Sequence, residues 1–273
     1  LFFAEKSLNF GKGRNIMGNL HIGCCGFPTA RKKYFEEFDT IEVQLTFYTI
    51  PQTKTVQRWR EEAPEGFRFT MKAFQGITHR YFSPTYRRAR LGWEKERMLG
   101  FGHFRPTEEV HWAWQQTLQL ARILQAKVIV FQCPPNFKES EQTIQNLIRF
   151  FESIERDDFS LAIEFRANWQ KETIAHLCRQ LNLIHCVDPF KELPVTRGLR
   201  YFRLHGAPPG EKMYRYQYTN DDLQRLKAIV LSNPEAETYC MFNNMTMRED
   251  ALRFKETMRE ADAKQPNTPP SRP

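Results

Sequence analysis

Eight short β-like runs, separated by amphipathic segments, recur along the chain between residues 19 and 264. The runs are Leu20–Cys24, Thr40–Leu45, Phe67–Lys72, Lys127–Gln132, Leu161–Phe165, Leu183–Val187, Leu199–Leu204 and Thr238–Asn243. Between them, apolar spacing predicts helices over Lys54–Glu62, Glu108–Gln125, Glu141–Ile154, Gln170–Leu181, Asp221–Leu231 and Met247–Ala261. Thr219 and Asn220 stand where helix caps belong, and Pro189 and Pro194 limit the sixth connection to a short one. Eight strands alternating with helices over about 250 residues is the arithmetic of a single α/β domain, a (β/α)8 TIM barrel. A doubly wound open sheet shares the alternation. The chain, however, has neither G-x-G-x-x-G after its first run nor G-x-x-x-x-G-K-[ST] anywhere.

Composition supports one large core. Of 273 residues, 41% are hydrophobic and 14% aromatic, which argues against intrinsic disorder or a fibrous repeat. The longest apolar stretches, such as Lys127–Phe131, fall far short of the ~20 residues a spanning helix needs, so no membrane crossing is expected. The six cysteines include no C-x-x-C pair. Cys24, Cys133, Cys186 and Cys240 lie in or at the ends of apolar runs, where a thiol behaves as a small hydrophobe, and this usage predicts a reducing, cytoplasmic setting. No apolar signal-peptide core occurs in residues 1–18. Met17, directly before the first strand, is read as the natural start, with a poorly ordered extension over 1–18, a barrel over 19–264 and a disordered Pro-rich tail over 265–273.

Side chains two apart on a strand share a face. Glu42 and Gln44 therefore oppose Ile41, Val43 and Leu45; Arg68, Thr70 and Lys72 oppose Phe67, Phe69 and Met71; Glu164 and Arg166 oppose Leu161, Ile163 and Phe165; Tyr201, Arg203 and His205 oppose Phe202 and Leu204. The apolar faces fit packing against outer helices, leaving the polar faces to line the interior. Polarity also accumulates toward the C-terminal ends of the runs, where Glu42, Gln44, Lys72, Gln132, Glu164, Arg166, Asp188, Arg203, His205, Asn243 and Asn244 all lie. Barrel sites are built at that end. Pairing among the charges themselves, Glu42 with Lys72 or Glu164 with Arg203, accounts equally well for any single one of them.

Several motifs are distinctive beyond this pattern: Gly23-Cys24-Cys25-Gly26-Phe27, Ile41 to Tyr48 (IEVQLTFY) with Pro51, Trp59 and Pro64, Phe67-Arg68-Phe69 with Lys72, and Ile77-Thr78-His79. Phe131 to Phe137 (FQCPPNF), Ala162 to Arg166 (AIEFR) with Trp169, Tyr201 to Gly206 (YFRLHG) and Met241 to Asn244 (MFNN) continue in order. Over roughly residues 20–255 the chain thus strongly resembles the YecE-like family of TIM-barrel proteins, a domain of unknown function. The resemblance implies the barrel and brings no established reaction. One departure is the short connection Pro28–Phe38, where many members carry a tryptophan-rich segment leading to Phe-Tyr-Pro.

The chemistry must therefore be argued from residue types. Arg166 and Arg203 can hold a carboxylate or phosphate through paired donors, with Lys72, Gln132, Tyr48 and Asn243 as further substrate-binding candidates. His79, His205, Glu42 and Glu164 are the candidate proton carriers. The expected function is acid/base catalysis on a small anionic ligand. Glu42, Glu164, Asp188, His79 and His205 also supply donor types for a divalent metal, although without a local ligand signature and beside repelling cations. The insert His79–Arg105 carries seven Lys and Arg against two Glu, interleaved with Tyr81, Phe82, Tyr86, Trp93, Phe101 and Phe104. As a loop after the third strand it is expected to be a lid whose rings pack onto the barrel, with arginines such as Arg88 meeting the ligand. The alternative is a surface for single-stranded nucleic acid, with or without metal-assisted phosphodiester hydrolysis. A third reading is a non-catalytic ligand-binding protein.

Overall fold

In the computed structural model, the described residues are 19–89, 91–206 and 213–263, so the extension, the Pro-rich tail and Arg90 lie outside them. Eight parallel strands follow the predicted runs: β1 (Leu20–Cys25), β2 (Thr40–Val43), β3 (Arg68–Lys72), β4 (Val128–Gln132), β5 (Ser160–Glu164), β6 (Ile184–His185), β7 (Arg200–Leu204) and β8 (Thr238–Phe242). Their order is β6-β5-β4-β3-β2-β1-β8-β7. The remaining seam is closed by a parallel bridge between Val187 and Phe202. There the Val187 N–H donates to Tyr201 O at 3.2 Å and the Arg203 N–H to Val187 O at 2.9 Å. The chain is a single TIM-barrel-like α/β domain.

The helices are α1 (Arg31–Glu37), α2 (Leu45–Tyr48), α3 (Thr53–Glu62), α4 (Gln75–Thr78), α5 (Lys95–Met98), α6 (Glu108–Leu124), α7 (Glu141–Ser153), α8 (Lys171–Gln180), α9 (Asn220–Leu231) and α10 (Met247–Ala263). Thr219 caps α9 through a reciprocal pair with Asp222, as its position suggested. Two local expectations need correction. The second strand stops at Val43, because Gln44 turns into the right-handed region and starts α2. The connection Pro28–Phe38 is short but holds α1, anchored by the fully buried Tyr34, whose hydroxyl accepts from the Cys24 N–H and donates to Thr40 O, each at 2.8 Å. Neither short helix has enough turns to show an apolar period.

Packing divides into two zones. Outward-facing strand residues such as Ile41, Phe69, Ile129, Phe131, Ile163 and Phe202 meet the helices in the main core, where Trp114 stacks on Phe131 at 5.8 Å. Inside the barrel, Cys25, Val128, Val130, Ala162, Cys186, Tyr201, Tyr239 and Met241 form a separate small cluster. The interior is therefore not polar throughout: this cluster shares it with the charged groups, Cys25 pairing in register with Glu42, Val130 with Lys72 and Met241 with Arg203. All six cysteines are free and buried. Among the described residues no helix is long and apolar enough to cross a membrane.

Gly23 marks a tight spot on β1. A Cβ there would come within 2.4 Å of the Thr40 carbonyl oxygen, a backbone atom that cannot swing away. Gly23→Ala should cost ~1–3 kcal/mol by overpacking, seen as a lower urea midpoint at unchanged slope.

Candidate functional site at the C-terminal mouth

Strand periodicity points one polar side chain from each of five strands into the barrel toward its C-terminal end. Glu42, Lys72, Gln132, Glu164 and Arg203 come from β2, β3, β4, β5 and β7, and all five are buried. Arg203, with no exposed surface, is their centre. Its Nε donates to Glu42 Oε2 at 3.1 Å and its Nη2 lies 3.0 Å from Glu42 Oε1, a two-point grip on one carboxylate. Its Nη1 donates to Gln132 Oε1 at 3.0 Å and to Glu164 Oε2. Tyr201 donates to Glu42 Oε2 at 2.9 Å, and Gln44 to Glu42 Oε1. Both carboxylates thus spend oxygens on a buried guanidinium, and Arg203 spends donors on both of them.

Lys72 stands apart from this pairing. Only 2% exposed, its ammonium donates to Gln132 Oε1 at 3.0 Å and lies 3.6 Å from the centre of the Phe47 ring, which α2 supplies. No carboxylate among the described residues forms an ion pair with it. Burial, and next the charge on Arg203, pulls the amine down from its ordinary 10.5 to about 7. Glu164 moves down as well: burial opposes its charge, but Arg166 and Arg203 outweigh burial and hold it well below the usual carboxylate range.

Above this floor, Arg166 is the more exposed of the network's two guanidiniums, its side chain 23% exposed against 1% for Arg203. Its Nε donates to Glu164 Oε1 at 3.1 Å and its Nη2 approaches His205 Nε2 at 3.2 Å. A guanidinium can only donate, so His205 Nε2 is the acceptor and the ring proton sits on Nδ1, facing Asp188 Oδ2 at 3.5 Å. Asp188 is itself fixed: Oδ2 accepts from the His205 N–H and Oδ1 from the Phe190 N–H, both at 3.0 Å. Carboxylate, imidazole and guanidinium form one oriented row at the mouth.

The other candidates lie around its edge. His79 follows α4, with Nδ1 2.7 Å from Thr78 Oγ1 and its ring edge-on to Phe47 at 5.0 Å. Burial, helped by Lys72, lowers it to about 3, which makes it a neutral ring. Tyr48 is half-buried beneath the exposed Arg88, whose guanidinium lies 4.7 Å over the ring. Asn243 follows β8, half-buried, and holds Leu204 O through its backbone N–H at 2.9 Å. Asn243 and Arg88 stay outside the charged network. Sequence reasoning missed the role of Phe47, whose helix has no periodic signal. It also left Tyr201 out of the site, although Tyr201 shares the face of Arg203 and His205.

Most rings of the insert turn inward. Phe101 and Phe104 are fully buried, Tyr86 donates to His79 O at 2.9 Å, and Trp93 packs against Phe101 at 5.2 Å and Trp112 at 4.4 Å. Phe82 stays 71% exposed. The returning leg of the insert is pinned to α4 by Gly102 N–H to Gly76 O at 2.8 Å and Phe104 N–H to Ile77 O at 2.9 Å.

A family model described as a protein of unknown function, DUF72, matches residues 28–273. The chain belongs to the DUF72 family. The YecE-like resemblance of its motifs is thereby borne out. The chain is 26% identical over 242 residues to the UPF0759 protein YunF of Bacillus subtilis, a match covering 77% of this chain and 79% of YunF. Its fold is similar to a DUF72 family protein from Enterococcus faecalis, with a TM-score of 0.68 at 20% identity over 88% of this chain and 97% of that one. It is also similar to a D-psicose 3-epimerase, with a TM-score of 0.52 at 12% identity over 88% and 95% of the two chains. At these identities the likeness is one of fold, and DUF72 barrels share their architecture with sugar-epimerase barrels.

The donor types for a divalent metal are present, but their arrangement does not suit one. Among the described residues no three His, Cys, Asp or Glu side chains converge as a ligand set. Glu42 and Glu164 are both held by Arg203, and Arg166 occupies the approach to His205 Nε2.

Proposed function

We propose that this DUF72 barrel is an enzyme that uses acid/base chemistry on a small anionic substrate at its C-terminal mouth. The observation that carries this reading is Arg166: the more exposed guanidinium of the charged network, it occupies the acceptor nitrogen of a histidine that a fixed carboxylate orients. A substrate carboxylate or phosphate competes for the same Nη2 donor. Binding it draws Arg166 away and frees His205 Nε2, with its lone pair in place and Asp188 ready to stabilise the imidazolium that forms. Proton transfer is thereby tied to occupancy by an anion. Arg203, Glu42 and Glu164 act as the rigid electrostatic floor, while Tyr48 and Arg88 border the entrance. The inward packing of Tyr86, Phe101 and Phe104 favours a lid over a base-stacking platform.

A thermal-shift panel of carboxylate and phosphate compounds against neutral sugars of the same size tests this. An anionic ligand at about a hundred times its Kd adds ~2.7 kcal/mol of apparent stability, roughly 5–10 °C in Tm. Arg166→Gln should abolish that shift without lowering the Tm of the free protein by more than a few degrees. Neutral sugars that stabilise as strongly as the anions, or a shift that survives Arg166→Gln, would refute the proposal.

A further inference from the structure

Lys72 has no task in the acid/base scheme above, and its surroundings are unusual for a structural lysine. A buried ammonium normally meets a carboxylate, since leaving it unpaired is costly. Here the two nearest carboxylates are already taken by Arg203, and the amine keeps one hydrogen bond, to Gln132, and one aromatic face, Phe47. Gln132 Oε1 is shared with Arg203 Nη1, so even that acceptor is divided. The arrangement withholds what would stabilise the charged form and places guanidinium charge nearby. An amine desolvated beside another cation is how proteins make lysine a nucleophile.

We infer that Lys72 is a nucleophile that forms an imine with a carbonyl carbon of an anionic substrate, whose carboxylate or phosphate is held by Arg166. The inference rests on the anion-binding reading of the mouth and narrows its substrate class to aldehydes and ketones that carry an anionic group. The deprotonated Nζ adds its lone pair to the carbonyl carbon, forming the C–N bond while the carbonyl π electrons move to oxygen. The proton that nitrogen sheds balances the one oxygen gains, giving a carbinolamine. Protonation of its hydroxyl and cleavage of the C–O bond then release water and leave a protonated imine, with no oxidant or reductant consumed. That imine withdraws electrons from the adjacent carbon, where His205 Nε2 can take or return a proton. The depressed pKa of Lys72 supplies the free amine near neutral pH. Gln132, which accepts the Nζ hydrogen bond, is 8% exposed and Lys72 2%, so the substrate carbonyl reaches the amine by displacing the Gln132 side chain.

Borohydride trapping of the full-length protein decides the matter. Pyruvate and glyoxylate serve as anionic probes and acetone as the neutral one, with intact mass and peptide mapping after reduction. Lys72 should carry the reduced adduct of an anionic probe at a yield at least tenfold above any other lysine, and at least tenfold above its own acetone adduct. Arg166→Gln should lower that yield tenfold, and Lys72→Arg should remove it. No adduct at Lys72 from any probe, or labelling spread evenly over exposed lysines, would overturn the inference. Because the wild-type map is decisive by itself, it holds even if Lys72→Arg fails to fold. If the adduct is absent while Arg166-dependent thermal shifts persist with anions lacking a carbonyl, the imine falls and the anion-binding function stands. Loss of both removes both.

Discussion

Arg203→Leu is expected to remove ~3–5 kcal/mol of folding free energy, a large share of the ~5–15 kcal/mol that holds a domain together. The guanidinium neutralises Glu42, which is fully buried, and Glu164, which is nearly so, and it fills four hydrogen-bonding positions on three side chains. Removing it strips Glu42 of its ion pair and leaves Glu164 to Arg166 alone, with Lys72 as the one remaining buried cation of the floor. The leucine replaces part of the packing and none of the charge. Urea unfolding at pH 7 gives the value. Adding Glu42→Gln and Glu164→Gln should recover part of the loss, because the penalty lies in the stranded charges and not in the missing attraction. A loss below about 1 kcal/mol for Arg203→Leu alone would mean that the floor is hydrated, contrary to its burial.

The second large effect is a rise in stability on the alkaline side of neutrality. Lys72 has a folded pKa of about 7 against an ordinary 10.5, so between these values the unfolded chain binds a proton that the folded chain does not. Stability then increases with pH through that window, by up to ~1.4 kcal/mol per unit. Buried thiols work in the opposite sense: burial pushes Cys25, Cys133 and Cys186 well above 9, so the unfolded chain loses protons first and stability falls above that pH. The Lys72 signal is therefore cleanest between pH 7 and 9, where the wild type should gain on the order of 2 kcal/mol and Lys72→Met should gain little. On the acid side, His79 is held neutral down to about 3, so stability declines as pH falls from 6.5 and the unfolded imidazole takes up its proton. Glu164, held well below its ordinary range, adds to that decline as pH falls further. Maximum stability is expected at roughly pH 8–9. Equal slopes for wild type and Lys72→Met between pH 7 and 9 would show that the amine remains fully charged when buried.

The clearest sequence signals were the strands. Each is a short apolar run, because a parallel strand in a barrel is covered by helices outside and neighbouring side chains inside, and such runs stand out between amphipathic helices. The two-residue alternation also placed Glu42, Lys72, Glu164, Arg203 and His205 on inward faces, as the structure has them. Where both faces are apolar the alternation carries no information, and the inward-facing cluster of Val128, Val130, Ala162 and Met241 was invisible for that reason. Helix α2 was missed because four residues carry no period, and with it went Phe47, the aromatic face under Lys72.

Partner choice was the other limit. Glu42 with Lys72 was a reasonable pairing from the order of the strands, since β2 and β3 are neighbours. The structure instead gives Glu42 to Arg203 from across the barrel, because a long guanidinium on β7 reaches two carboxylates, Gln132 and the barrel axis at once. From sequence alone came the barrel, its family, and the mouth at which the charges gather, all of them consequences of local periodicity and chain order. Only the tertiary structure decided which of those charges satisfy one another and which are left over. That depends on distances of 3 to 4 Å between strands far apart in the chain. By that measure Arg203 is committed to the fold, Arg166 shares Glu164 with it, and Lys72 is the buried cation that no carboxylate among the described residues pairs with.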